Sequence, residues 1–385
     1  MIPWEEPSLP GPRGTLLAMQ RIVVQGGPEQ GRVRTTMKKI SDFIWPIIGL
    51  AAVIGSGYLL YKELAGISMA EIKGSFAAIP VHRFLLAGLS TLVAYAALAW
   101  YDRIALLHLG VNHISLFFVS VCSFTTYALS HNIGASVFSG AVVRYRAYTA
   151  KGLSAAQVAV LVALCSFTFG LGTILLGGFV LTVLPDTLTR LNGYLPAVLT
   201  DPATARILGA GLLAFVALYV AGSLLHLKPL TIRKFKLEYP RPRIMGRQLI
   251  AAPLELLGAA GIIYFALPEA GNPGFLVVLA VFLASFSAAL VSNAPGGLGV
   301  FELVFVVAMP DIARPSVIAA LLVFRLFYFW LPFLISVVVV LLYERNRLAS
   351  ALRDKPHDPA SPEAPLTAPG LDAHALERRM EKKPV

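Results

Sequence analysis

The chain has 385 residues, of which 57% are apolar and only 14% charged, with a formal net charge of +11; a soluble domain is usually about a quarter charged. Nearly half of the charged residues fall in the tails 1–42 and 344–385, so the middle is too poor in charge for a soluble enzyme and suits a membrane. Cys122 and Cys165 both lie in apolar runs, which excludes a disulfide framework and leaves no Cys/His spacing for zinc.

The first 36 residues are rich in Pro, Gly and Arg without periodicity, the composition of a flexible basic tail. Met37-Lys38-Lys39, directly before an apolar run, is a candidate start of the native chain. No A-x-A-like cleavage site follows the run 43–64, whose length of about 22 residues suits a spanning helix rather than a signal peptide. Further stretches long enough to span fall at 84–107, 115–143, 154–183, 203–227, 248–267, 274–309 and 316–343. The tail 344–385 mixes Pro, Ala, Glu, Lys and Arg, is too small for a catalytic domain, and reads as flexible and cytoplasmic. The predicted organisation is therefore a tail 1–42, a transmembrane domain 43–343 and a tail 344–385.

Lys and Arg mark the cytoplasmic side of a membrane protein. They concentrate in the first tail, in the loop 228–247 (Lys228, Arg233, Lys234, Lys236, Arg241, Arg243 and Arg247) and in the last tail. All three can lie inside only if two of the eight stretches return to the side they came from. The stretch 115–143 is split by Ser130-His131-Asn132-Ile133-Gly134 and ends at Arg144, Arg146 and Lys151; a hairpin dipping in from the cytoplasm explains both. The stretch 274–309 is broken by Asn293-Ala294-Pro295-Gly296-Gly297-Leu298-Gly299, and its hairpin would dip from outside. The predicted fold is an all-α polytopic bundle of about six full spans plus two re-entrant hairpins, with an inverted repeat as a possible origin. Ala128-Leu129-x-x-Asn132 and Ala289-Leu290-x-x-Asn293 form a faint echo before the two bends. Broken helices at membrane depth must be buried in protein or line a cavity, because lipid cannot satisfy freed N–H and C=O groups. The bends, with Gly134 and Gly140 at the first and Pro295, Gly296, Gly297 and Gly299 at the second, therefore point to one central site holding Asn132 and Asn293.

Two readings of Pro295-Gly296-Gly297-Leu298-Gly299-Val300-Phe301-Glu302 stand side by side. A helix restarting near Leu298 would offer N–H groups to an anion such as phosphate, or the glycines simply let helices pack closely. Glu302, Glu255 and Arg325 lie within spans, where a charge costs about 2.5 to 3.5 kcal/mol on insertion scales. Arg325 and Glu302 are either polar walls of a headgroup path or an ion pair fixing the second hairpin, and the two are compatible. Glu255 pairs with Arg325 or stands alone protonated, with proton coupling through Glu255 or Glu302 a further reading. Arg144 and Arg146, flanking Tyr145, would either grip a phosphate bidentately or anchor a helix end at the interface. His131 sits at the site, whereas His108 and His113 read as interfacial. The loop 228–247 attracts an anionic leaflet and lacks the aromatic platform of a nucleic-acid binder. No G-x-x-x-x-G-K-[ST], H-E-x-x-H or G-x-S-x-G occurs, and Gly170-x-Gly172 lies inside an apolar helix. ATP-driven transport by this chain is not expected, and neither is a metal or other cofactor.

At Pro295-Gly296-Gly297-x-Gly299-x-x-Glu302 and Arg325-x-x-Tyr328-x-x-x-Pro332 the sequence resembles the lysylphosphatidylglycerol synthase transmembrane-region family. Ser130-His131-Asn132-x-Gly134, Ser139-Gly140-x-x-x-Arg144-Tyr145-Arg146-x-Tyr148 and Gly152-Leu153-Ser154 are similar to the matching stretch of multiple peptide resistance factor proteins. The resemblance covers roughly 43–343. It implies a flippase domain that moves a lipid across the bilayer, with Arg144, Arg146, Glu302 and Arg325 as the matched polar positions. Large members of that family carry a separate cytosolic domain that makes the aminoacylated lipid, and this sequence has none, so lysyl transfer is not carried over. The expected partners are membrane lipids, anionic or aminoacylated phospholipid or glycolipid, together with a separate lipid-modifying enzyme; nucleic acid is not among them. The leading expectation is a translocase of the bacterial inner membrane with both termini cytoplasmic. The alternatives are an accessory protein or transferase in lipid or envelope glycan assembly, and a scaffold recruiting a soluble enzyme through the loop 228–247.

Overall fold

The structure, a computed structural model, describes residues 68–133, 136–225, 230–232, 235–237, 240–292 and 295–353, together with Tyr58 and Tyr61. The expected span 43–64 falls outside the described residues but for those two tyrosines. A short helix α1 (Met69–Ala77) opens the described chain, capped by Ser68, whose hydroxyl accepts from the Glu71 N–H while the Glu71 carboxylate accepts from the Ser68 N–H. There follow α2 (Val81–His108), α3 (Leu116–Ile133), α4 (Ser136–Thr149) and α5 (Ala155–Val183), then a 3-10 turn Pro185–Leu191 and the single turn α6 (Ala197–Thr200). Next come α7 (Pro202–Leu224), a hairpin of β1 (Leu230–Ile232) and β2 (Phe235–Leu237), α8 (Pro242–Ala266) and α9 (Phe275–Ser292). A 3-10 turn Pro295–Gly297, α10 (Val300–Ala308), α11 (Arg314–Phe324), a π segment Arg325–Trp330 and α12 (Leu331–Arg353) complete it.

Among the described residues the fold is all-α apart from the two three-residue strands, which pair antiparallel across the basic loop. Among the described residues six helices are long and apolar enough to cross a membrane: α2, α5, α7, α8, α9 and the continuous run Arg314–Leu342. Five of these coincide with predicted full spans. The sixth, α9, is the first arm of the predicted second hairpin, long enough at 18 residues to qualify on its own. Helix α8 starts at Pro242, six residues before the predicted 248, because proline fits the first helical turn where its missing N–H has no partner to lose. The last helix runs to Arg353, ten residues past the expected end of the membrane domain. A compact unit closes at Val339, and a second unit begins at Val340.

Helix α8 is the most enclosed of the six and forms the centre. Ala251, Ala252, Leu256, Ala259, Ala260, Ile262 and Ile263 are all fully buried. Without a hydrophobic drive inside lipid, helices associate through close packing of small residues, and α8 does so on both sides. A Cβ on Gly258 would lie 2.8 Å from the Ala94 nitrogen of α2, and one on Gly172 of α5 would lie 2.8 Å from the Ala252 carbonyl carbon. The hydroxyl of Tyr101 on α2 donates to the Ala252 carbonyl at 3.1 Å. These three helices are the frame on which the two hairpins sit.

Each hairpin leaves and returns to one face of this frame, and the two faces are opposite. The hairpin of α3 and α4 starts beside the C-terminal end of α2 and comes back there. His113 before α3 is hydrogen-bonded to the Lys151 carbonyl after α4 at 3.2 Å, and the Lys151 ammonium sits 4.9 Å over the Phe118 ring. The hairpin of α9 and α10 belongs to the other end, where Arg83 at the start of α2 donates to the Phe265 carbonyl at the close of α8. There Gly271 lies against the Asp311 carbonyl, and Arg190 bonds Asp311 at 2.6 Å and the Ala308 carbonyl at 3.4 Å.

Candidate functional site

The tips of the two hairpins meet inside the frame. A Cβ on Gly296 would stand 3.5 Å from the His131 carbonyl oxygen, so glycine allows one bend to touch the other. Gly296, Gly297 and Gly299 all take positive φ, of 60°, 67° and 81°, a region that costs an L-residue with a side chain roughly 1–2 kcal/mol. A Cβ on Gly297 would also lie 2.9 Å from the Ala289 Cβ of α9. In the first hairpin Gly140 plays the matching part, with the Ser130 hydroxyl 2.6 Å and the Thr126 methyl 3.0 Å from where its Cβ would be. Asn132 fastens the first tip to the last helix run: its amide donates to the Ala128 carbonyl at 2.8 Å and the Phe329 carbonyl at 3.1 Å. Gly134 and Asn293 lie outside the described residues, as does the side chain of Pro295.

Each hairpin is tied down by an ion pair, the first buried and the second partly buried. Arg144 of α4 donates to Asp102 of α2 from Nη2 at 2.6 Å and from Nε at 3.2 Å to both oxygens, and its guanidinium lies 4.7 Å over the Tyr127 ring. Asp102 is wholly buried and also accepts from the Tyr148 hydroxyl at 2.9 Å and the Cys165 thiol at 3.3 Å. Arg325 reaches Glu302 Oε1 from Nε at 2.7 Å and from Nη2 at 2.5 Å, and its Nη1 donates to the Gly296 carbonyl at 2.8 Å. The other oxygen of Glu302 accepts from the Gly299 N–H at 2.8 Å. That contact alters the expected anion site at the restarting helix, because the helix begins at Val300 and its own carboxylate occupies the positive end. The π segment starts at Arg325 itself; such widened turns are frequent at functional sites and here set the guanidinium toward the second bend.

Between these pairs lies a cavity of about 300 Å³, lined by both hairpins, α5, α8 and the last helix run. Its polar wall carries the Arg144 and Arg325 side chains, Ser130, His131, Cys165, Ser166, Glu255 and Tyr328; aromatic rings, among them Tyr127, Phe286, Phe301 and Phe329, form much of the remainder. Ser166 on α5 and Leu290 on α9 are exposed as well as lining it, so the cavity opens sideways between those helices. Glu255 does not pair with Arg325. Its Oε1 accepts from the Tyr328 hydroxyl at 2.5 Å, while Oε2 is buried without a partner.

The structure thus gathers Arg144, Arg325, Glu255, Gly296 and Gly297 around one space, with Glu302 and Asn132 directly behind it. Arg146 does not join them: it is exposed on α4 and is not part of the lining. Asp102 and Tyr328 are the members that the motif reading passed over as site residues. Asp102 lies near the end of an apolar run beside Arg103, where a charge reads as interfacial, yet an acid within a span was the signal to follow.

The chain is similar in sequence to several known proteins. An uncharacterized protein of Synechocystis sp. (slr0712) is 29% identical over 301 residues, 77% of this chain and 91% of that protein. The phosphatidylglycerol lysyltransferase of Staphylococcus haemolyticus is 24% identical over 315 residues, 80% of this chain but 34% of the enzyme. No protein-family model matches the chain. The inner membrane protein YbhN of Escherichia coli is 31% identical over 272 residues, 68% of this chain and 80% of that protein. With its six apolar helices the protein is a multi-pass membrane protein, and it belongs to the family of the inner membrane protein YbhN.

Proposed function

We propose that the protein carries the headgroup of a phospholipid or glycolipid across the bacterial inner membrane, both termini lying in the cytoplasm, without hydrolysing ATP itself. The observation that supports this reading is the cavity where two hairpins from opposite faces touch, with the guanidinium groups of Arg144 and Arg325 in its wall and a sideways opening at Ser166 and Leu290. A headgroup needs a polar space inside the bilayer, because a charged group in hydrocarbon is costly; acyl chains can stay in lipid if that space opens laterally. Each guanidinium has five N–H donors, of which its carboxylate partner takes a fraction, so a phosphate can be shared without leaving either arginine unpaired. Because Asp102 and Glu302 stand behind the arginines, the charge is compensated when the cavity is empty. Similarity to the inner membrane protein YbhN supports an inner-membrane location, and the partial likeness to a phosphatidylglycerol lysyltransferase suits an anionic or aminoacylated phospholipid, made by a separate enzyme.

The test is movement of headgroup-labelled lipids between leaflets of liposomes holding the purified protein, beside Arg144→Gln and Glu302→Gln. Wild-type protein should move lipid at least about tenfold faster than either folded variant, the loss of roughly one charge-assisted contact. Absence of movement across anionic, zwitterionic and aminoacylated lipids would favour an accessory role in lipid assembly instead.

A further inference from the structure

The cavity contains two polar atoms that its headgroup role leaves unanswered. Glu255 is 3% exposed, lies on the central helix α8 and faces the cavity; its Oε2 has no hydrogen-bond partner. His131, at the tip of the first hairpin, has its Nδ1 buried and likewise without a partner, and its ring stacks on Tyr328 with centroids 5.2 Å apart and planes 19° apart. Tyr328 connects the two, since its hydroxyl donates to Glu255 Oε1. A buried carboxylate with an open oxygen is stable only with a proton on it or a cation beside it. The two arginines of the cavity wall are already engaged, Arg144 by Asp102 and Arg325 by Glu302. The other titratable groups around Glu255 are the phenols of Tyr95 and Tyr101 on α2, which donate to the Tyr328 and Ala252 carbonyls, and the Cys165 thiol on α5, which donates to Asp102. None of these supplies a cation.

We propose that Glu255 is a proton-carrying site, taking a proton from the cavity on Oε2 and releasing it there, with Tyr328 holding the carboxyl in place and His131 Nδ1 as the second acceptor on the proton's path. This rests on the headgroup reading for its purpose: proton entry would drive or balance the passage of a charged headgroup through the same space. The charge bookkeeping is simple, since protonation neutralises Glu255 and the proton leaves as it arrived, by exchange with water or headgroup in the cavity. The adjoining hairpin tip, in contact with Gly296, would feel each change of charge.

The experiment uses the full chain in vesicles of phosphatidylethanolamine, phosphatidylglycerol and cardiolipin that enclose a pH-sensitive dye. A potassium diffusion potential, negative inside, drives protons inward, and lipid movement is followed in the same vesicles. Wild-type protein should acidify the interior at least tenfold faster than empty vesicles. Glu255→Gln should abolish that flux, Glu255→Asp should retain part of it, and His131→Phe should lower it several-fold. Lipid movement without any proton flux would overturn the proton site and leave the headgroup reading standing. Proton flux that Glu255 and His131 govern, without lipid movement, would sustain the site and remove the headgroup reading. Flux equal in wild type and a monodisperse Glu255→Gln protein, or no flux and no lipid movement, would overturn the proposal.

Discussion

Replacing Asp102 by asparagine should be among the most damaging isosteric changes in the protein. The carboxylate is wholly buried and accepts from two nitrogens of Arg144, the Tyr148 hydroxyl and the Cys165 thiol. Asparagine keeps the shape but leaves the Arg144 guanidinium, itself 5% exposed, without its counter-charge and turns an amide N–H toward other donors. Removing one partner of a buried pair costs about 3 to 5 kcal/mol, mostly from the charge left behind. The pair Arg190–Asp311 supplies the control: its N–O distance is the same 2.6 Å, but its side chains are 25% and 49% exposed. Exposed pairs contribute about 0.2 to 1 kcal/mol, so Asp311→Asn should be mild. Equilibrium unfolding in mixed detergent micelles gives both values on one scale. The double change Asp102→Asn with Arg144→Met, which removes the stranded charge, should recover roughly half of the loss. An Asp102→Asn cost within about 1 kcal/mol of the Asp311→Asn control would mean that burial makes no difference to the pair.

Three other outcomes follow from local geometry. Gly297→Ala should cost about 2 to 4 kcal/mol in the same unfolding assay, combining a positive φ of 67° with a Cβ 2.9 Å from that of Ala289. Gly258→Ala should lose about 1 to 3 kcal/mol because its Cβ meets backbone of α2 that cannot yield, whereas Gly211→Ala, with nothing within 4 Å, should be neutral or gain up to about 1 kcal/mol. Asp201 caps the start of α7, and the Thr204 N–H and hydroxyl hold its carboxyl below the usual range. A carboxyl lowered by folding stabilises above its unfolded value and loses that contribution as pH falls through the folded one. Amide exchange in the first turn of α7 should therefore quicken on acidification, and Asp201→Asn, which still caps, should remove that pH dependence.

Apolar length and the placement of Lys and Arg were enough to read most of the architecture. The five described full spans, the reversal at both hairpins and their entry from opposite faces follow from charge bias and from polar or Gly/Pro breaks inside apolar runs. Hydropathy carries no information on side-chain partners. Arg144 and Arg146 look alike in sequence, yet two residues along a helix turn the second side chain away from the first; only Arg144 faces α2 and its acid. Glu255 and Arg325 were natural mates by charge, but the π segment at Arg325 directs the guanidinium to Glu302 and presents Tyr328 to Glu255. A widened turn of that kind has no composition signal. The Gly-Gly-x-Gly stretch fitted both an anion site and close packing, and the outcome depended on Glu302 folding back onto the Gly299 N–H.

If lipid passes through the cavity at the meeting of the hairpins, its mouth offers a direct handle. Ser166 is exposed, lines the cavity and takes no part in either ion pair, while both native cysteines are buried, Cys165 with its thiol bonded to Asp102. Leaflet-to-leaflet lipid movement should therefore be measured with Ser166→Cys protein before labelling, after attaching a bulky aromatic group through a disulfide, and after reduction. Movement should stop on labelling and return on reduction, with wild type indifferent to the reagent. Movement that continues unchanged through a fully labelled Cys at position 166 would contradict passage through the cavity, because the lipid would then be travelling by another route.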